Sequence, residues 1–226
     1  MKIAKELAER KQNVILVLCD DETPALPLLQ PAASDTKSLG DLLSLVDLSQ
    51  VSVFQHCVPV GTSGYISLLG YQLGETERTY SEYTLRRAKE LFSLLRRTND
   101  FVVVDCSHHL ISNVLTAAAL EVSDAVLKVV NADLKSSIYI KSQQTLLQES
   151  RFHYDKQINV LNNVLPTQDT HPYHEALGGA SYILPSLPSL KEQYDSGKLL
   201  ESLFGRDAKK YEPVIKKIVS EVLFDE

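Results

Sequence analysis

The chain has 226 residues, of which 44% are hydrophobic and 23% are charged, and its net charge is −6. This composition is typical of a globular protein, and it excludes a surface that is basic throughout, although it leaves room for a local basic patch that could bind nucleic acid. The length suits a single α/β domain with a large hydrophobic core.

Targeting signals and disulfides are not indicated by the sequence. No apolar run approaches the roughly 18 residues that a transmembrane helix needs. The segment Met1–Lys11 is charged and lacks the apolar region of a signal peptide. The three cysteines, Cys19, Cys57 and Cys106, lie in or beside apolar runs and form no CxxC pair. We therefore predict reduced, buried thiols in a cytoplasmic protein.

The predicted elements alternate between helix and strand along the chain. A helix is expected over Lys2–Lys11, followed by a buried strand over Asn13–Leu18 that ends in an acidic loop. The other predicted elements are a short helix at Ser38–Leu43, strands at Val51–Val58 and Tyr65–Leu69, a helix at Ser81–Arg97, a strand at Phe101–Asp105, a helix at Ile111–Glu121, a strand at Ala125–Val130, a helix at Leu134–Glu149, a strand at Gln157–Leu161, a loop from Asn162 to Gly179, a strand at Tyr182–Pro185, a helical turn at Leu190–Tyr194 and a helix at Asp207–Leu223. This alternation predicts an α/β fold with a mostly parallel sheet flanked by helices.

Polar side chains follow three of the predicted strands. They are Asp20 and Asp21, Asp105, and Asn162 and Asn163. Because the carboxyl ends of parallel strands emerge along one edge of a sheet, these residues are expected to approach one crevice. Carboxylates and amides there would suit Mg²⁺, an activated water and a nucleobase. Such residues also end strands because they cap helices and form turns, so spacing alone leaves both interpretations open.

Several segments resemble the ParA/MinD family of P-loop ATPases. Asp100–Asp105 (DFVVVD) closely resembles the Walker B strand, and Asn13–Asp21 is similar to the second strand, which runs into an Asp-x-Asp pair. Further segments match in the family's order: Ser38–Leu43, Ala117–Leu127, Asn131–Ser137, Val160–Asn163 and Leu184–Pro188. The resemblance covers nearly the whole chain and implies a P-loop NTPase architecture.

The resemblance also implies roles for individual residues. Asp105 would hold Mg²⁺ through water, and Asp21 would orient or activate the attacking water, with Asp20 as the alternative under a one-residue slip. Asn162 would contact adenine, and Pro185 belongs to the late segment near the nucleotide.

Two departures from the family pattern lie close to these residues. Cys19 replaces the first aspartate of the Asp-x-Asp pair, and Cys106–His109 replaces small residues and glycine in the nucleotide-sensing switch. We expect the adjacent side chains of His108 and His109 to point apart and to bind no metal.

The largest departure concerns the phosphate-binding loop. No glycine precedes Gly40, and Met1–Lys11 resembles the helix that follows the family's Gly-rich Walker A loop. We therefore interpret residues 1–226 as a single ParA/MinD-like domain that lacks its first strand, either by truncation or by natural loss. That strand would lie beside the Walker B strand, so we expect unpaired sheet edges and either poor stability or weak ATP binding.

The resemblance implies an ATP-dependent dimer switch that positions DNA or a cellular apparatus. Its expected cofactors are ATP and Mg²⁺, and its expected partners are a second copy and a DNA or protein cargo. A degenerate scaffold that no longer binds nucleotide is the alternative. A phospho-receiver domain is disfavoured because such domains are much shorter. The amphipathic helix at Asp207–Leu223 is expected to pack against the sheet and not to grip a membrane.

Overall fold

The chain is described by a computed structural model that covers residues 1–33, 37–61, 64–76 and 78–224. It contains two compact units, one formed by Met1–Val122 with Gly197–Leu200 and the other by Ser123–Ser196 with Glu201–Glu226. Helices and strands alternate in both units, which confirms the predicted α/β class. The assignment of all 226 residues to a single domain stays a prediction.

The first unit is built on a four-stranded mixed sheet, called sheet A. Its strands are β1 (Val14–Leu18), β2 (Val58–Val60), β3 (Ile66–Gly70) and β4 (Phe101–Asp105), in the order β2-β3-β1-β4. Strand β1 pairs in parallel with β3 on one side and β4 on the other, whereas β2 is antiparallel to β3. The helices of this unit are α1 (Lys2–Glu9), α2 (Leu26–Leu29), α3 (Leu39–Ser44), α4 (Gln50–His56), α5 (Leu85–Thr98) and α6 (Val114–Val122), with a 3-10 turn at Pro31–Ala33.

The core of the first unit lies around β1. All five residues of β1 are buried, as its continuous apolar sequence predicts for a central parallel strand. Ile15 and Val17 pack in one cluster with Leu91 and Leu95 of α5 and Leu115 of α6. Complete burial of a side chain of this size stabilises the fold by about 1.5–3 kcal/mol.

Strand β4 is less buried than its sequence suggests. Its apolar residues, Phe101–Val104, are all only partly buried, and Asp105 is exposed. A short valine-rich run of this kind predicts a strand that is buried on both faces, as in a parallel sheet, and for β4 that prediction was wrong in degree. The physical reason is that β4 ends the order of sheet A, so that within the described residues it is paired on one side only.

The second unit is built on a three-stranded parallel sheet, called sheet B. Its strands are β5 (Val126–Asn131), β6 (Gln157–Val164) and β7 (Tyr182–Pro185), in the order β5-β6-β7. Strand β5 ends this sheet, and Val129 on it is 55% exposed. The helices are α7 (Leu134–Leu147), α8 (His171–Leu177), α9 (Pro188–Asp195) and α10 (Gly205–Ile218), with 3-10 turns at Ser150–Phe152 and Tyr154–Lys156 and a π-helical turn at Val219–Leu223.

The last helix packs as its apolar stripe predicts. Helix α10 contacts β7 and buries Tyr211, Ile215 and Ile218, whereas Lys216 and Lys217 stay exposed. Within the described residues, no helix combines the length and the apolar character that crossing a membrane requires.

Two predicted elements were wrong. The predicted strand Val51–Val58 is mostly helix α4, because Ser49 and Ser52 form a reciprocal capping box at its start, which outweighs the strand propensity of the valines. The predicted loop from Asn162 to Gly179 contains helix α8. This helix has Pro172 in its first turn and ends at Gly178, which adopts φ 71°.

The cysteines are all free, as predicted, but only Cys19 is buried. Cys57 is half-buried, and burial raises the pKa of its thiol to about 11. Cys106 follows the end of the terminal strand β4, and the residue as a whole is exposed. Its thiol group is nevertheless surrounded by protein atoms, and this burial raises the pKa of the thiol to about 12. Burial also raises the pKa of Cys19, with the neighbouring Cys106 and Asp105 adding to the effect.

Asn113 ties the loop after β1 to helix α6. Its Nδ2 donates to the carbonyl oxygen of Cys19 (3.1 Å) and to Oδ1 of Asp21 (3.3 Å). Its Oδ1 accepts the N–H of Thr116 (2.9 Å), so the same side chain caps the helix. Only 9% of Asn113 is exposed, so its partners would be left without hydrogen bonds if it were removed.

We therefore predict that Asn113→Ala lowers the free energy of unfolding by about 1–3 kcal/mol, because it removes a cap and leaves a buried carbonyl unpaired. Asn113→Ser keeps a capping oxygen and should cost less. The measurement is urea unfolding followed by circular dichroism. A loss below about 0.5 kcal/mol for the alanine variant would contradict this role.

The thiol pKa values predict slow labelling of the native protein. At about pH 8, a pKa raised from 9.0 to about 11 leaves Cys57 with about 100-fold less thiolate than a free cysteine, and the thiolate is the reactive species. All three thiols should react slowly with a disulfide reagent and quickly in urea, and the rate should rise with pH. The variants Cys57→Ser and Cys106→Ser each remove one thiol, so the kinetic phase that each variant loses belongs to that cysteine. Rapid native labelling of Cys19 would disprove its burial.

Candidate functional site

The carboxyl ends of three strands meet along one edge of sheet A. Because β3, β1 and β4 are adjacent and parallel, the residues that follow them lie side by side. These residues are Tyr71 after β3, the loop 19–23 after β1, and the loop 106–109 after β4. We call this region the sheet A edge.

Asp105 is the last residue of β4 and lies at this edge. Its Cα is in register with Leu18, its backbone oxygen accepts the N–H of Cys19 (2.9 Å), and its side chain is exposed. Helix α1 contacts β4, whose last residue is Asp105. An exposed carboxylate at a strand end fits a magnesium ion, which prefers oxygen ligands.

The two aspartates after β1 have different surroundings. Asp20 accepts the N–H groups of Glu22 and Thr23 through Oδ1 (both 3.0 Å) and the hydroxyl of Thr23 through Oδ2 (2.9 Å). Asp21 instead accepts from Asn113 through Oδ1 (3.3 Å). The carboxylate of Asp20 therefore organises the turn, whereas that of Asp21 is held by Asn113.

Asn113 and Thr116 were missed in the sequence. The helix was predicted to begin at Ile111, but α6 begins at Val114 because Asn113 caps it. The hydroxyl of Thr116 also accepts the N–H of Ser107 (2.9 Å). An asparagine directly before an apolar helical run is an N-cap signal that would have revealed the boundary. The loops after β1 and β4 are thus both fixed to α6.

A pair of tyrosines lies beside the loop that follows β1, and of the two Tyr71 is buried whereas Tyr83 is partly buried. The hydroxyls of Tyr71 and Tyr83 are 3.2 Å apart. Burial raises the pKa of Tyr71, and it raises the pKa of Tyr83 to about 12, with the charge of Asp21 contributing to both shifts. Both phenols are therefore neutral at physiological pH and act as hydrogen-bonding groups beside the acidic loop.

The histidines after β4 do not point apart as expected. The ring centroids of His108 and His109 are 3.9 Å apart with a tilt of 39°. The backbone bends at His108, and that bend lets adjacent side chains converge where a straight strand would separate them. Nε2 of His109 lies 3.2 Å from Oε1 of Glu22 in the β1 loop.

Asn162, which is predicted to contact adenine, lies in the last part of β6, near the carboxyl edge of sheet B. Asn162 and Asn163 both donate through Nδ2 to Oδ1 of Asn131, at 3.2 Å and 2.9 Å. The backbone of Asn163 adopts φ 56°, within a register shift of β6 against β7. Pro185 is paired with Val164 across this shift, so the structure brings Asn162 and Pro185 to neighbouring strand ends.

The four predicted site residues therefore form two pairs. Asp21 and Asp105 lie at the edge of sheet A, and Asn162 and Pro185 lie at that of sheet B. That all four residues line one crevice stays a prediction.

Comparison with solved structures relates the fold to known ATPases. MinD, the cell division ATPase of Pyrococcus furiosus, is similar with a TM-score of 0.72 and 16% identity over 97% of this chain and 90% of that one. A ParA family ATPase from Chlorobium tepidum is similar with a TM-score of 0.72 and 15% identity over 96% and 92%. The septum site-determining protein MinD from Pyrococcus horikoshii, solved with Mg-ADP, has a TM-score of 0.71 and 14% identity over 99% and 90%.

Comparison of the sequence alone identified no relatives. No protein-family model and no curated protein matches the chain. The structural similarity extends over nearly the full length of the chain and most of each ATPase, which confirms the predicted architecture. The chain therefore has the ParA/MinD fold of the P-loop ATPases.

Proposed function

We propose that the chain is the nucleotide-binding domain of a ParA/MinD-type ATPase that positions DNA or a cellular apparatus. The observation that carries this proposal is the exposed carboxylate of Asp105 at the end of β4, beside the acidic loop of β1, in a chain with the MinD/ParA fold. When bound, Mg²⁺ neutralises charge on nucleotide phosphates. Asp105 would hold that ion through water.

Asp21 would orient the water that attacks the terminal phosphate. Its carboxylate is held by Asn113, whose other hydrogen bonds anchor it to α6 and to the backbone of Cys19 directly after β1. This arrangement restricts the orientation of the carboxylate before any ligand arrives, and such positioning is a main source of catalysis in phosphoryl transfer.

Asn162 would contact adenine. Its Nδ2 donates a hydrogen bond to Oδ1 of Asn131, and this bond fixes the orientation of the amide. The amide oxygen would then accept a hydrogen bond from the base. Pro185, at the end of the neighbouring strand, would supply an apolar surface beside the base.

The proposed cycle uses two copies of the chain. ATP would close a homodimer and hydrolysis would reopen it, so that a DNA or protein cargo is held only in one state. Support for this step comes from the fold alone, since MinD and ParA neighbours include ATPases of division and partition.

A non-catalytic scaffold of the same fold is the second candidate. Cys19 stands where the family has its first aspartate, and His108 and His109 occupy the switch. Each of these departures replaces a part that the catalytic switch uses. The coding sequence upstream of Met1 offers an inexpensive test, since a strand and a Gly-x-x-Gly-Lys-Thr-like loop encoded there in frame would favour the ATPase.

Nucleotide binding tests the role of Asp105. We expect MgATP or MgADP to bind measurably by calorimetry, and Asp105→Asn to weaken the Mg²⁺-dependent binding by about tenfold or more because the ion loses a carboxylate. Asp47→Asn removes an exposed carboxylate of the same unit and serves as the matched control. Binding that is unchanged in Asp105→Asn would overturn the assignment. Absence of nucleotide binding by the chain would favour the scaffold.

Base selectivity tests the role of Asn162. Asn162→Ala should reduce the preference for ATP over GTP by about tenfold, which corresponds to the loss of one hydrogen bond of about 1.4 kcal/mol. Asn163→Gly is the control, because glycine tolerates the positive φ of that position. Equal effects of both variants would point to a disturbed strand end and not to base contact.

A further inference from the structure

Three side chains from two loops converge at the sheet A edge. None of them is a residue that we propose to contact the nucleotide or its magnesium ion. One ligand atom each from Glu22, His108 and His109 lies within 4.8 Å of the other two. All three residues are exposed. We propose that they form a binding site for a transition-metal dication, Zn²⁺ above all.

The donor set determines the class of metal. Two imidazole nitrogens and one carboxylate oxygen suit Zn²⁺, Co²⁺ or Ni²⁺, whereas Mg²⁺ and Ca²⁺ prefer oxygen ligands alone. Two histidines and a glutamate with a fourth position open to water is also a recognised zinc ligand set. The site is therefore chemically distinct from the carboxylate of Asp105.

The distances require only a small adjustment of exposed side chains. Bonds of about 2.0–2.2 Å place ligand atoms of a tetrahedral zinc ion about 3.3–3.6 Å apart. Nε2 of His109 and Oε1 of Glu22 are 3.2 Å apart, which is close to that separation. A cluster that spans at most 4.8 Å reaches it by small rotations of side chains that have room to move.

The backbone under the ligands is held in place. The turn that carries Glu22 is closed by hydrogen bonds from the N–H groups of Glu22 and Thr23 to Asp20. On the other loop, the hydroxyl of Ser107 accepts the N–H of His109 (3.3 Å), while the N–H of Ser107 donates to Thr116. Two restrained loops therefore present the ligands, so little backbone order needs to be gained on binding.

Binding would link the loop after β1 to the loop after β4. The first of these loops carries Asp21 and the second directly follows Asp105, but the site itself uses neither aspartate. The inference thus stands on its own residues and does not depend on nucleotide binding.

Titration with the metal alone tests the site. The untagged chain should bind one Zn²⁺ by calorimetry, bind Co²⁺ with the visible absorption of a tetrahedral nitrogen–oxygen complex, and melt at a higher temperature with either ion. His108→Gln, His109→Gln and Glu22→Gln should each weaken binding by at least about tenfold. Because the three residues are exposed, we expect these variants to fold, and melting without metal checks this.

The control variants exclude other sources of binding. His171→Ala removes an exposed histidine of the second unit and should leave the affinity unchanged. Cys106→Ser removes the thiol near these loops and should also leave it unchanged, and the Co²⁺ spectrum should lack a thiolate band. The proposal is overturned if no one-to-one binding occurs, if the His108 and His109 variants bind Zn²⁺ as tightly as the unaltered chain, or if Cys106→Ser abolishes binding.

Discussion

The pairing of β1 on both of its sides is the constraint on which the first unit depends. A wholly buried strand must satisfy every backbone group through its neighbours, and β1 does so through β3 and β4. Since both pairings are parallel, the loops after all three strands emerge along one edge. The same hydrogen bonds that make the core stable thus bring the carboxylate of Asp105 beside the acidic loop that follows Cys19.

The loops at this edge are ordered by their own polar side chains. Asp20 closes the turn after β1, and Asn113 and Thr116 fix both loops to the start of α6. The hydrogen bonds of these three side chains hold the two loops in place. Other side chains of the loops are thereby presented at fixed positions. The edge therefore presents two separate sets of possible ligands. Oxygen atoms of Asp105 and Asp21 suit magnesium and water, and nitrogen and oxygen atoms of Glu22, His108 and His109 suit a transition metal.

Each sheet ends, within the described residues, on a strand whose sequence is suited to burial. Val102–Val104 of β4 are partly buried, and Val129 of β5 is more than half exposed. Apolar side chains at such an edge contribute less to stability than the fully buried side chains of β1 do.

The sequence by itself determined the fold class, most strands and the position of Asp105, because continuous valine-rich runs and helical periodicity are local signals. It did not reveal helix α4, whose capping serines outweigh the valines, or the cap at Asn113 that starts α6. Nor could it show that His108 and His109 converge with Glu22. That contact joins residues 87 positions apart, and it depends on the register of β1 against β4 and on the bend after Asp105. Only the tertiary structure decided it, since strand pairing is a non-local interaction, and side-chain directions in a loop follow from the backbone that the pairing fixes.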